Sequence, residues 1–286
     1  MSIKKFNTSI AGKELVVETG KLAKQAHGSC TVTYGETVVL ATAVTSRTPR
    51  EGIEYFPLMV DYEERLYAAG KIKCSRFIKR EGRATDEAML TARLIDRSIR
   101  PLFNETDRND VQVVITVLSY DGINDPTFAA TIATSVALGT SSIPWAGPLA
   151  AVAVAKVEGE LVLNPTVEEK QNSDFELFVA GSKDEVIMIE AGAKQIKEAD
   201  MYEAIAFAGK HIAKIMPFIE DIIKQVGVDK KTPELDEVKE ALRTQVSAKV
   251  NQVLDKHDLS KCFCPDKSKM REAVDNIKVE VNEALK

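Results

Sequence analysis

Residues Val111 to Tyr120 read VQVVITVLSY, an unbroken and largely β-branched apolar run. Its length and composition favour a strand over a helix, and the run predicts a strand buried on both faces. Short stretches rich in Val, Thr and Leu precede it at Lys13 to Gly20, Cys30 to Tyr34 and Thr37 to Val44. Gly28 and Gly35–Glu36 separate them, which predicts a meander of antiparallel strands, continued at Tyr55 to Tyr62.

After that central run the period alternates. Thr127 to Leu138 reads as a helix closed by Gly139, with Ala129, Ala130, Ala133 and Ala137 small enough to lie close against a sheet. Strands are predicted at Leu149 to Val157, Leu161 to Leu163, Phe175 to Ala180 and Glu185 to Glu190. A long helix follows from Glu198 to about Val226, kinked or divided near Pro217. Strands with interspersed helices indicate an α+β domain over residues 1–228.

Beyond Gly227 the character changes. Asp229 to Pro233 is a polar linker, and Glu234 to Lys256 and Asp266 to Lys286 read as charged amphipathic helices. Residues 229–286 are therefore expected to form an all-α region. Its last helical pattern reaches Lys286 without a stop signal, which predicts a truncated element, since an isolated helix pair is marginal.

The 286 residues suit roughly two domains, and 44% hydrophobic with 28% charged residues exclude a disordered chain. No run approaches the ~18 apolar residues of a membrane span, and the polar N-terminus has no signal-peptide pattern. A cytoplasmic protein with no membrane contact is expected. Cys30, Cys74, Cys262 and Cys264 read as ordinary thiols, because the CxC pair has no second pair to complete a zinc site.

The net charge of −5 is unevenly spread. Lys71 to Arg100 carries nine basic against four acidic residues, while the remainder carries 29 against 39. One basic segment on an acidic chain points to a polyanion site or to a solvated charged face. The segment Gly70 to Phe103 reads GKIKCSRFIKREGRATDEAMLTARLIDRSIRPLF. Arg76, Lys79, Arg80 and Arg83 lead into a helix that starts at Thr85, a plausible N-cap, and Pro101 stops it. Loop cations beside Gly82 and a helix N-terminus suit phosphate groups. Arg93, Arg97 and Arg100 share one helix face, either as further polyanion contacts or as packing residues paired with Asp96.

RFIKREGR followed by ARLIDRSIRPLF resembles the FFRR-loop segment in the first core of bacterial polynucleotide phosphorylases. DGINDP (Asp121 to Pro126), DFELFVAGS (Asp174 to Ser182) and IEAGAKQI (Ile189 to Ile196) match that family in the same order. The resemblance runs from about Met1 to Val226, and the charged tail is similar to the family's interdomain helices. It implies an RNase PH-like first core in a phosphorolytic 3′-to-5′ exoribonuclease, a polyribonucleotide nucleotidyltransferase that releases nucleoside diphosphates in mRNA turnover. It further implies a homotrimeric ring around single-stranded RNA, held by Lys79, Arg80 and Arg83, and leaves open association with RNA-degradosome partners. Ile78 and Lys79 depart from the family's second Phe and Arg, which loses the guanidinium fork while keeping the charge.

Phosphorolysis needs a phosphate pocket, a general acid and usually magnesium. The resemblance places all three, including Mg2+ and inorganic phosphate, in a second core. The matching positions of this core hold Asn124, Asp125 and Pro126 before a helix, and Thr166 and Asn172 where two aspartates are expected. Asp125 would repel phosphate, and neither Thr166 nor Asn172 can act as a carboxylate acid or hard metal ligand. The core is therefore expected to bind RNA without catalysing. A stand-alone tRNA-trimming enzyme of RNase PH type and a non-catalytic exosome-type ring subunit are the alternatives. His27, His211 and His257 are scattered and suggest no relay, and Trp145 reads as a core or subunit-contact anchor.

Overall fold

The computed structural model describes residues 3–72, 82–231 and 237–285, in two compact units, Met1–Thr232 and Pro233–Lys286. The first unit opens with a hairpin of β1 (Lys4–Ile10) and β2 (Lys13–Thr19), followed by β3 (Gly28–Tyr34) and β4 (Thr37–Pro49), all antiparallel. β5 (Leu58–Glu64), α1 (Asp86–Ile99) and β6 (Asn109–Ser119) complete a six-stranded sheet in the order β1-β2-β3-β4-β6-β5. The antiparallel meander predicted from sequence therefore stops at β4. β5 pairs with β6 in parallel, Leu58 opposite Val111, and a parallel pair needs a long crossover, here the segment carrying α1.

β6 differs from its expectation of burial on both faces. Val111, Val113, Ile115 and Val117 are buried, whereas Gln112, Val114, Thr116 and Leu118 are only partly covered. One face of this sheet carries the core and the other is more open. β1 was not anticipated, because its alternating Lys, Asn, Thr and Ser side chains make an edge strand look like a polar leader.

The covering layer is α2 (Pro126–Thr140), buried almost throughout. It packs on β3 and β4 from one side and meets β7 (Ala150–Val157) and α4 (Glu198–Val226) from the other. A helix enclosed by two layers must be apolar and slim all round, which its alanines supply. The second sheet has the order β10-β9-β7-β8, with β8 (Glu160–Leu163), β9 (Phe175–Gly181) and β10 (Val186–Ala193) all antiparallel to their neighbours. A short helix, α3 (Val167–Gln171), joins β8 to β9, and α4 covers β7 and β9. α4 is one 29-residue helix with Pro217 inside it, so the proline does not divide it. Trp145 is a core anchor: it is buried and its Nε1 donates to the Ile99 carbonyl at 3.1 Å.

Gly139 does not close α2, which continues through Thr140. A Cβ at position 139 would stand 2.4 Å from Ile223 Cδ1 of α4, so the glycine permits close helix approach. The second unit consists of α5 (Glu237–Leu254), a 3-10 turn (Leu259–Phe263) and α6 (Lys267–Leu285). In that unit α5 packs on α6, and His257 meets Glu280 at 2.9 Å.

Because Ile223 is what Gly139 accommodates, Gly139→Ala should destabilise the first unit by roughly 1–3 kcal/mol, as overpacked cores do. The double variant Gly139→Ala with Ile223→Ala should show a favourable coupling in urea denaturation, and strictly additive losses would refute the contact.

Candidate nucleic-acid interface

α1 begins where the sequence places it. Thr85 is extended, its Oγ1 accepts from the Ala88 amide at 3.0 Å, and the hydroxyl donates to Glu64 Oε2 at 2.9 Å. Asp86 and Glu87 occupy the first turn, where negative charge suits the helix dipole. Ala88, Ile95, Ser98 and Ile99 face the core. Upstream, Leu66–Ala69 forms a 3-10 turn that ends at Gly70, and its Ala68 carbonyl accepts from the Tyr120 amide at 2.9 Å. The loop base is thereby tied to the end of β6.

The seven basic candidates divide sharply in their surroundings. Arg76, Lys79 and Arg80 lie outside the described residues. Arg83 is exposed at the α1 entrance, and Arg93 is exposed with no ion pair among the described residues. Arg97 is half-exposed and meets Glu190 of β10 at 2.6 Å, joining α1 to the second sheet. Arg100 is a packing residue in the sense that Asp96 predicts. Its Nε and Nη2 reach the Asp96 carboxylate at 2.6 and 2.5 Å, and the guanidinium also donates to the Phe56 and Leu58 carbonyls at 3.4 and 3.1 Å. A bidentate pair with two further acceptors commits most of its donors.

Beside Arg97 a cavity of about 280 Å³ opens between the two sheets of the first unit. Leu94, Asn124, Asp125, Phe128, Lys170 and Glu190 are among its walls. Its polar side is built by the turn Asp121 to Pro126. Asp121 Oδ1 accepts from the Ile123 and Asn124 amides at 2.8 and 2.7 Å, while Oδ2 accepts from Asn124 Nδ2 at 2.6 Å and the Glu36 amide at 3.2 Å. Burial opposes the charge of Asp121, but these donors prevail and bring its carboxyl down to about 2. Asn124 is buried and passes the constraint on. Its Oδ1 accepts from Lys13 Nζ at 2.6 Å, and its backbone bridges to Thr166. Gly35 lies so close that a Cβ there would come within 2.5 Å of Asn124 Nδ2.

Asp125 then caps α2, accepting from the Thr127 amide at 2.8 Å, with Pro126 at the first helical position. Lys170 of α3 forms a close ion pair with the same carboxylate. Burial raises the Asp125 pKa, yet the Lys170 ammonium and the Thr127 donors outweigh it and leave the carboxyl below its ordinary range. The α2 N-terminus, which would otherwise attract an oxyanion, is thus occupied by an anion of the chain itself.

Thr166 and Asn172 turn out to be helix caps. Thr166 Oγ1 accepts from the Glu169 amide at 3.2 Å, and Glu169 Oε2 accepts in return from the Thr166 amide at 2.7 Å. The TVEE spelling at Thr166 to Glu169 carries the signature of this capping box. Asn172 ends α3, its Nδ2 donating to the Glu168 carbonyl at 3.1 Å. Asp174 is exposed, and its backbone bonds to Lys156 and Lys194. A hydroxyl and an amide engaged in capping do not fit a magnesium site. Sequence reasoning also missed the Asp125–Lys170 and Arg97–Glu190 pairs, which join residues 45 and 93 positions apart.

Two sheets enclosing a buried helix, with a cleft at their seam, define an RNase PH-type α+β domain. The same fold occurs in the crystal structure of rice (Oryza sativa) Rrp46, at TM-score 0.59 and 17% identity, covering 78% of this chain and 94% of that one. The model of domain 1 of the 3′ exoribonuclease family matches residues 11–144, and that of domain 2 matches residues 147–211. The chain belongs to the 3′ exoribonuclease family. A polyribonucleotide nucleotidyltransferase of Syntrophomonas wolfei is 51% identical over 246 residues, 86% of this chain and 35% of that protein. Polyribonucleotide nucleotidyltransferase 1 of Alkaliphilus metalliredigens is 46% identical over 283 residues, 99% of this chain and 39% of that protein. The chain thus spans little more than a third of the curated relatives it matches.

Asp121 gives the turn a pH signature. Its folded pKa lies below the ordinary 3.8, so its stabilisation is complete above about pH 4 and is lost as pH falls toward about 2. Asp121→Asn should lower stability at neutral pH and flatten the acid limb in that window, followed by circular dichroism. An acid limb identical to that of the parent would remove the turn's proposed weight.

Proposed function

We propose that this chain is part of a polynucleotide phosphorylase, in which its RNase PH-like core grips single-stranded RNA and supports a homotrimeric ring but does not catalyse. The whole enzyme would degrade RNA from the 3′ end with inorganic phosphate and magnesium, releasing nucleoside diphosphates in mRNA turnover in the cytoplasm. Residues 1–228 would be its first core and residues 229–286 the start of its helical linker. The similarity to polyribonucleotide nucleotidyltransferases across 86–99% of the chain supports the assignment. No described helix is long and apolar enough to cross a membrane.

The observation that carries the division of labour is Asp125. A phosphate at the α2 N-terminus would meet a carboxylate already bonded to the helix amide and paired with Lys170. The capping roles of Thr166 and Asn172 point the same way and weigh against a stand-alone tRNA-trimming enzyme. A non-catalytic ring subunit of exosome type describes this chain alone in nearly the same physical terms.

RNA would run along Arg76, Lys79, Arg80 and Arg83 toward α1. There the exposed Arg93 is free to meet a phosphate and Arg97 would have to exchange Glu190 for one. Arg100 would act by holding α1 against β5. If Lys79, Arg80 and Arg83 each neutralise one phosphate, they contribute about −2 to the salt slope of binding, at ~0.7 per single-strand contact. The triple alanine variant should weaken oligo(A) binding at low salt and flatten the slope by that amount, with base preference unchanged. Fluorescence anisotropy across a salt series measures it; a folded triple variant with the parental slope would refute the loop assignment.

A further inference from the structure

The cavity beside Arg97 has apolar walls on three elements. Leu90, Leu94 and Arg97 follow i, i+4, i+7 along α1 and so share the side of the helix that borders it. Phe128 of α2 and Phe178 of β9 supply aromatic wall. Leu90 is 61% exposed, an apolar side chain left at the opening. Glu190 and Gly192 lie on one face of β10, opposite Phe178 and Glu176 of β9. A Cβ at Gly192 would meet nothing within 4 Å, so the space over that strand is open.

Two ion pairs account for four of the charged side chains around this space, Arg97 with Glu190 and Lys170 with Asp125. Glu176 is a fifth, exposed and without an ion pair among the described residues. The walls thus carry one surplus negative charge. That balance disfavours a phosphate or carboxylate occupant and favours a flat, neutral group with N–H donors. The volume of about 280 Å³ lies at the small end of ligand pockets, which suits one base rather than a length of strand.

We propose that the cavity takes a single nucleobase turned out of the RNA strand, with a preference for bases that carry an exocyclic amine. The proposal rests on the reading of this core as an RNA grip. When a backbone phosphate takes Arg97, Glu190 is released at the same opening. Glu190 and Glu176 then accept from the amine N–H groups of adenine or cytosine, the pairing that carboxylates make with cytosine N4. Uracil offers a carbonyl oxygen at the matching position and is disfavoured. The ring faces pack on Leu94 and Phe178, a burial open to any base, so the selection comes from the two carboxylates.

The test is fluorescence anisotropy of the whole chain with labelled oligo(A), oligo(C) and oligo(U) at one salt concentration. Oligo(A) and oligo(C) should bind on the order of tenfold tighter than oligo(U). Gly192→Phe fills the cavity from a position with room for a side chain, and should bring all three to the oligo(U) level. Glu176→Gln should narrow the gap, because an amide can also donate to the uracil carbonyl. Equal affinities for the parent chain, or a gap that survives in folded Gly192→Phe, would overturn the proposal. If no oligonucleotide binds, the RNA reading fails and free nucleosides decide for the cavity. Millimolar adenosine, but not uridine, should then shift the Leu90 and Leu94 methyl resonances, and unshifted methyls would overturn the proposal as well.

Discussion

The Asp121 carboxylate gathers four N–H donors, three from its own turn and one from Glu36, and most of what surrounds the cleft depends on that arrangement. It fixes the conformation of Ile123 and Asn124 and holds the β3–β4 hairpin through Glu36. Through Asn124 it also reaches Lys13 on β2 and Thr166 at the start of α3. The turn sets where α2 begins, and therefore which residue caps it. Since α2 is enclosed by both sheets, its placement fixes the distance between them. Charge, hydrogen bonding and packing here act through a single acidic residue.

That placement has a chemical consequence. A helix N-terminus in a cleft is ordinarily available to a phosphate, but Asp125 fills it and Lys170 neutralises the carboxylate. On the other side of the cleft, Thr166 and Glu169 cap α3 reciprocally. Asp125, Thr166 and Asn172, which stand where the proposed assignment would look for an anion site, an acid or a metal ligand, are engaged in capping helices. Arg83 and Arg93 are exposed on the approach to α1, which under the proposed assignment suits holding a strand.

How much of this the chain spells out depends on the distance over which the information is written. α1 was legible because its apolar pattern and cap are local, and β6 and α2 were legible as elements from their apolar runs, though not in the faces or the end they take. Other features depend on partners far away in the chain. The parallel pairing of β5 with β6 cannot be told from an antiparallel one by composition, and Gly139 reads as a stop until Ile223 is seen lying on it. β1 was hidden because an edge strand with one solvated face resembles a polar leader. At the site, Asp125 was recognised as hostile to phosphate, whereas its Lys170 partner was not. The Thr166 capping box differs from these, since Thr166 and Glu169 stand three positions apart and its signal is local.

The most direct test of a core that holds RNA without cleaving it is phosphorolysis by the purified chain itself. Oligo(A), magnesium and inorganic phosphate would be supplied under conditions where anisotropy shows the oligonucleotide bound, and nucleoside diphosphate release followed by chromatography. The account predicts binding with no release above background. Sustained release of ADP that disappears in Asp174→Asn would contradict it, because it would place a working acid in a site whose remaining groups are engaged in capping helices.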